Sequence, residues 1–117
     1  MENDWARPVV YFEIESPDPD TLVPFYEALF NWKVGEGAIR TFAAGIGGPE
    51  NGIGGHFRKS HRSGVTLYIQ VRDLAETIAL AQSLGGTVTL ERLDIPGGAS
   101  IAGITDPQGN PISLVQQ

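Results

Sequence analysis

Val9-Val10-Tyr11-Phe12-Glu13-Ile14 decides the fold, because Thr66-Leu67-Tyr68-Ile69-Gln70-Val71 repeats its pattern roughly half a chain later. Both stretches alternate their side chains with period two, the spacing of a strand. An acidic helix start and an amphipathic run follow each of them. Asp18-Pro19-Asp20 opens a run that closes at Trp32, and Asp73 opens one that closes at Leu84. A chain written twice in this way predicts two pseudo-symmetric units, with a site built between the copies.

Strand parity sorts the side chains. Val10, Phe12 and Ile14 form a face expected to pack on helices. Val9, Tyr11 and Glu13 form the other, expected to meet water or a ligand. In the second copy Val65, Leu67, Ile69 and Val71 are expected to face the helices, and Thr66, Tyr68 and Gln70 the other way. This parity places no Lys or Arg beside Glu13. Desolvation is therefore expected to raise the Glu13 carboxyl above its ordinary range.

The remaining elements follow from local chemistry. The first helix is predicted to start at Asp20, with Pro24 near its first turn and Leu22, Phe25, Tyr26 and Leu29 as its buried stripe. Asn31 and Trp32 end it. Lys33-Val34 and Ile39–Ala44 read as strands joined by a Gly35–Gly37 turn. The glycine-rich stretch Gly45–Gly55 is a loop leading into a strand near Ile53–Arg58. Gly47-Gly48 lacks the helix and the Lys-Ser/Thr of a phosphate-binding loop.

Asp73 and Glu76 make a capping-box start for the second helix, whose stripe is Leu74, Ile78, Ala81 and Leu84. Gly85-Gly86 stops it. Strands are predicted at Thr87–Leu93, Ser100–Thr105 and Ile112–Gln116. The turn Pro96-Gly97-Gly98 and the hairpin Asp106–Asn110 connect them. Each half reads β-α-β-β-β, giving modules of about 8–58 and 65–116 within one domain, 1–117. The predicted fold is α+β, two tandem βαβββ modules forming a curved mixed sheet around a cleft. Tyr11, Glu13, Tyr68, Gln70 and the last strand's outward residues line that cleft.

Composition excludes whole classes of function. The 117 residues contain no cysteine, so there is no disulfide framework, thiolate metal site or Cys nucleophile. A net charge of −6 argues against non-specific nucleic-acid binding, which needs a basic footprint. The one basic cluster, Arg58-Lys59-Ser60-His61-Arg62, reads as a solvated connector, with His61 a loop residue. No apolar run approaches the roughly 20 residues that span a bilayer. Met1-Glu2-Asn3-Asp4 has no apolar signal-peptide region. A cytoplasmic protein is expected, without membrane or nucleic-acid partners.

The order of motifs resembles the vicinal oxygen chelate superfamily of glyoxalase I, bleomycin-resistance proteins and extradiol dioxygenases. The residues that carry the resemblance are Tyr11-Phe12-Glu13-Ile14, Asp18-Pro19, and Phe25-Tyr26-Glu27-Ala28-Leu29-Phe30-Asn31-Trp32. In the second half they are Tyr68-Ile69-Gln70-Val71-Arg72-Asp73-Leu74, Leu84-Gly85-Gly86, and Asp106-Pro107-Gln108-Gly109-Asn110-Pro111-Ile112. The match covers nearly the whole chain.

The resemblance implies a divalent metal held by the first and last strands of each module. Here the first-strand positions match Tyr11 and Tyr68, and the last-strand positions match His56 and Ser113. Of these only His56 is a good ligand, since a neutral phenol with a pKa near 10 binds such cations poorly. No metal and no cofactor are therefore expected. A displaced set of Glu13, Gln70 and His56 is the alternative. The neighbouring Gly54-Gly55 leaves the register of His56 open to a bulge.

The functional expectation is a small-molecule-binding protein of the glyoxalase/bleomycin-resistance type with a degenerate metal site. Its ligand-binding residues are Tyr11, Glu13, His56, Tyr68, Gln70 and Ser113, and its ligand is partly aromatic or apolar. Its alternatives are a metal-dependent lyase, isomerase or dioxygenase using the displaced site, a metal-free enzyme with Glu13 as base and Tyr11 or Tyr68 as electrophile, and an interaction module. A homodimer is expected, because two-module relatives pair and sheet edges invite it.

Overall fold

In the computed structural model, residues 5–42 and 52–116 are described. They form seven strands and two helices, an α+β arrangement with mixed strand pairing. Two compact units divide the chain: Tyr11–Thr66, and Leu67–Gln117 together with Met1–Val10.

The first of these units holds β1 (Val9–Ser16) from Tyr11 onward, α1 (Pro19–Phe30), β2 (Ile39–Phe42) and β3 (Gly55–Lys59). β3 pairs parallel with β1 and antiparallel with β2. Gly55 permits the close approach of β3 to β1, because a Cβ there would strike the Phe12 carbonyl. No bulge displaces His56, which registers directly with Glu13. Lys33-Val34 forms no strand, although Val34 packs on the core. Residues 43–51 lie outside the described residues, and with them the end of the predicted Ile39–Ala44 strand and most of the predicted glycine loop.

The α1 cap is Asp18, not Asp20. The Asp18 side chain accepts from the Thr21 N–H at 3.3 Å and from the Thr21 hydroxyl at 2.6 Å. Pro19 then occupies the first turn, where no N–H is required. Asp20 instead receives Arg40 at 2.9 Å. Asn31 closes the helix in the left-handed region at φ 59°.

Ile14, Val23, Phe42 and Phe57 form the buried core, with Phe12, Leu22, Tyr26, Trp32 and Val34 packed against it. The helix face differs from the predicted stripe, since Phe25 and Leu29 are 57% and 60% exposed. Trp32 sets this rotation. It stacks on Phe42 at 4.3 Å and on Tyr26 at 5.3 Å between ring centroids, which turns Leu22, Val23 and Tyr26 inward.

The second unit holds β4 (Gly64–Gln70) from Leu67 onward, α2 (Leu74–Ser83), β5 (Thr87–Asp94), β6 (Ser100–Thr105) and β7 (Pro111–Gln116). β4 pairs parallel with β7, and the β7–β6 and β6–β5 pairs are antiparallel. Asp73 caps α2 by accepting the Glu76 N–H at 2.9 Å. Gly85 follows the helix at φ 97°, a conformation that side chains disfavour. Val71, Leu74, Ala102, Ile104 and Leu114 form this unit's core. Leu67 and Leu84 were expected among such residues, as was Val65 of β4, but all three are exposed. α2 packs over β5, β6 and β7. Leu84 is the residue past the helix end.

Candidate functional site

The parallel register of β1 and β3 builds a polar cluster on the sheet face opposite the aromatic core. Glu13 lies opposite His56 and Glu15 opposite Arg58, while Ile14 and Phe57 point to the core between them. Period two therefore carries Tyr11, Glu13 and Glu15 along one strand against His56 and Arg58 on the other.

The bonds run continuously through this face. Tyr11 Oη lies 2.9 Å from His56 Nδ1, and His56 Nε2 lies 2.8 Å from Glu13 Oε2. Arg58 grips Glu13 with two nitrogens, Nε to Oε2 at 2.7 Å and Nη2 to Oε1 at 3.2 Å. The same Nη2 reaches Glu15 Oε2 at 3.1 Å, and Arg62 Nη2 donates to Glu15 Oε1 at 2.7 Å. Glu13, Glu15 and His56 are buried, and Tyr11 is partly buried. Among the described residues every buried side-chain polar atom has a partner, as low-dielectric surroundings demand.

The electrostatics correct the expectation for Glu13. Burial pushes its carboxyl up, but hydrogen bonds from His56 and Arg58, and the charge of Arg58, outweigh that and bring it from 4.5 down to about 2. The expectation of a raised value failed because Arg58 is a strand residue facing Glu13, not part of a solvated connector. Burial and then the negative charge of Glu13 hold the Tyr11 phenol above its usual 10. Tyr11 is thus a neutral phenol and Glu13 a firm carboxylate.

Tyr11, Glu13 and His56 come together as neighbours. Glu15, Arg58 and Arg62 are members of the cluster that sequence reading missed. Their signal was the continued alternation Tyr11-x-Glu13-x-Glu15 set against His56-x-Arg58.

Tyr68, Gln70 and Ser113 belong to the other unit. Tyr68 registers with Ser113, and the two share with Gln70 the sheet face opposite that unit's core. Among the described residues no group of three His, Cys, Asp or Glu side chains is arranged to hold a metal ion. No helix among them is long and apolar enough to cross a membrane.

A family profile described as a glyoxalase-like domain matches residues 11–115. The chain belongs to this family, within the glyoxalase/bleomycin resistance/dioxygenase superfamily that the motifs suggested. It is 29% identical over 121 aligned positions to proteins of Mycobacterium bovis and Mycobacterium tuberculosis that carry the provisional name glyoxylase CFP32. The alignment covers 92% of this chain and 43% of those relatives, so the chain spans less than half of their length.

Among solved structures, a glyoxalase/bleomycin resistance protein/dioxygenase superfamily member from Vibrio splendidus superposes with a TM-score of 0.66 at 14% identity, over 96% of this chain and 100% of that one. A methylmalonyl-CoA epimerase variant from Streptomyces coelicolor, in complex with 2-nitronate-propionyl-CoA, gives 0.63 at 17% identity, over 94% of each chain. At such identities the likeness is one of fold.

Proposed function

We propose that the chain is a small-molecule-binding protein of the glyoxalase type whose site works without a resident metal, in the cytoplasm. One observation carries this reading: the donors a divalent cation would need are already engaged. Both ring nitrogens of His56 are in hydrogen bonds, and both oxygens of Glu13 accept from Arg58. A cation at His56 would have to displace Tyr11 or Glu13 and would sit beside a guanidinium. Phenol and alcohol oxygens at Tyr11, Tyr68 and Ser113 are weak replacements. These side chains do not fit a resident divalent cation, and no step is assigned to one.

In this reading Tyr11, Glu13 and His56 are ligand-binding residues of one unit, and Tyr68, Gln70 and Ser113 are ligand-binding residues of the other. Two phenols favour a ligand that is partly aromatic or apolar. A homodimer belongs to the same reading and is supported by the exposed apolar side chains Phe25, Leu29 and Phe30 on α1. A metal-dependent lyase, isomerase or dioxygenase using Glu13, His56 and Gln70 is the competing reading.

Thermal stabilisation by a metabolite library tests the proposal. A ligand at about 100 times its Kd adds about 2.7 kcal/mol. Stabilisation that persists in a chelator supports metal-free binding. Stabilisation that requires added metal supports the competing enzyme.

A further inference from the structure

We propose that a cavity at the start of α1, bounded by β2 and the end of β3, binds a small phosphate monoester. The site stands apart from the cluster of Tyr11, Glu13 and His56. Arg40 registers with Phe57, a core residue, so it belongs to the sheet face opposite Glu13 and His56.

The cavity has a volume of about 460 Å³, and its lining includes Pro19 and Asp20 of α1, Ile39 and Arg40 of β2, and Arg58 and Lys59 of β3. These residues lie in one unit. Three are cations and one is an anion, although the whole chain carries a net charge of −6. Lys59 lies two positions beyond Phe57 on β3. Arg40 and Lys59 are therefore diagonal cross-strand neighbours on the helix side, with backbone positions roughly 7–8 Å apart, within reach of long side chains.

Part of this positive charge is uncommitted. Arg58 is held by Glu13 and Glu15. Arg40 is anchored by two bonds, from Nε to the Gly35 carbonyl at 3.0 Å and from Nη1 to Asp20 Oδ1 at 2.9 Å. Its Nη2 has no partner among the described residues. Every buried side-chain polar atom among them is bonded, so Nη2 reaches solvent. The Arg40 side chain as a whole is only 19% exposed. It is a guanidinium oriented in advance, with one nitrogen open. Lys59 is exposed and forms no ion pair among the described residues. The helix end itself is not the receptor, because Asp18 already accepts from the Thr21 N–H.

These donors select the ligand class. With Nε and Nη1 of Arg40 engaged, a carboxylate finds no wholly free pair of nitrogens for a fork. A phosphate monoester presents three terminal oxygens, enough to accept from Arg40 Nη2 and from Lys59 separately. Ile39, 45% exposed, and Pro19 supply apolar surface beside the cations. Charge and apolar wall together favour a phosphate carried on a small apolar body over the free ion. Asp20 opposes such a ligand, by holding Arg40 and by its own charge.

The test titrates the isotopically labelled full chain with phenyl phosphate and, separately, with inorganic phosphate, followed by amide NMR. The signals of Ile39, Arg40 and Lys59 should shift, and phenyl phosphate should bind more tightly than inorganic phosphate. Lys59→Gln should weaken phenyl phosphate binding roughly tenfold. This variant alters an exposed side chain without an ion pair, so it leaves the fold in place. Asp20→Asn should strengthen binding about threefold, because it frees Arg40 and removes a like charge. Ile39→Ser should remove the preference for the phenyl ester.

Absence of any shift at millimolar phenyl phosphate overturns the proposal. So do shifts confined to Tyr11 and His56, which would place the probe on the opposite sheet face. Affinity unchanged in both Lys59→Gln and Asp20→Asn overturns it as well. Equal affinity for phenyl phosphate and inorganic phosphate overturns the ligand class, since the apolar wall would then contribute nothing.

Discussion

His56 Nε2 lies 2.8 Å from Glu13 Oε2 because the parallel pairing of β3 with β1 puts these two residues in direct register. One register thus sets the candidate site. It sets the His56 ring between Tyr11 and Glu13, and two residues further on it brings Arg58 opposite Glu15. A shift of β3 by one position would carry His56 and Arg58 to the core face, away from Glu13 and Glu15.

Glu13 should titrate with a midpoint of about 2 when followed by its carboxyl-carbon NMR signal. The sign of the linked stability follows. A folded-state pKa below the ordinary 4.5 adds stability that is fully present above 4.5 and is lost as pH falls toward about 2. The shift corresponds to at most about 3 kcal/mol, and to less once solvent screening is counted. Urea unfolding at a series of pH values should show this loss, and Glu13→Gln should flatten it. A midpoint at or above 4.5 contradicts the bonding to Arg58 and His56.

Arg58→Ala should cost about 2–4 kcal/mol in chemical denaturation, because it removes a shared partner from two buried carboxylates. Glu13 would keep His56 and Glu15 would keep Arg62, which sets the lower bound. Arg58→Lys should recover only part of the loss, since an ammonium cannot span both carboxylates with the fork of a guanidinium. Full recovery by Lys would show that charge alone matters here.

Phe57→Ala should destabilise by about 3–5 kcal/mol, since Phe57 is fully buried in the aromatic core. Tyr68→Ala should cost less, because Tyr68 lies opposite its unit's core, and should weaken ligand binding by about 1–3 kcal/mol. Calorimetric binding and unfolding midpoints on the same samples separate the two effects. Unfolding of the Tyr68→Ala protein would place that side chain in the core.

Much of the fold was legible in local sequence. The repeated alternation located β1 and β4, Asp73 marked the start of α2, and Asp106–Asn110 marked the last hairpin. The α1 face was not legible, because Trp32 turns the helix through stacking on Phe42, a tertiary contact with no helical period. The site was half legible. Parity placed Tyr11 and Glu13 on one face, but β1 runs on to Ser16 and β3 runs on to Lys59. Those strand ends hold Glu15 and Arg58. Register between distant strands is a long-range property, so the guanidinium that reverses the Glu13 shift was hidden from a local reading.

Metal content after loading tests the central claim most directly. The purified, untagged chain is incubated with Zn²⁺, dialysed, and analysed for bound metal. Far less than one ion per chain is expected, unchanged in His56→Ala. One tightly held ion per chain, lost in His56→Ala or Glu13→Gln, would contradict it.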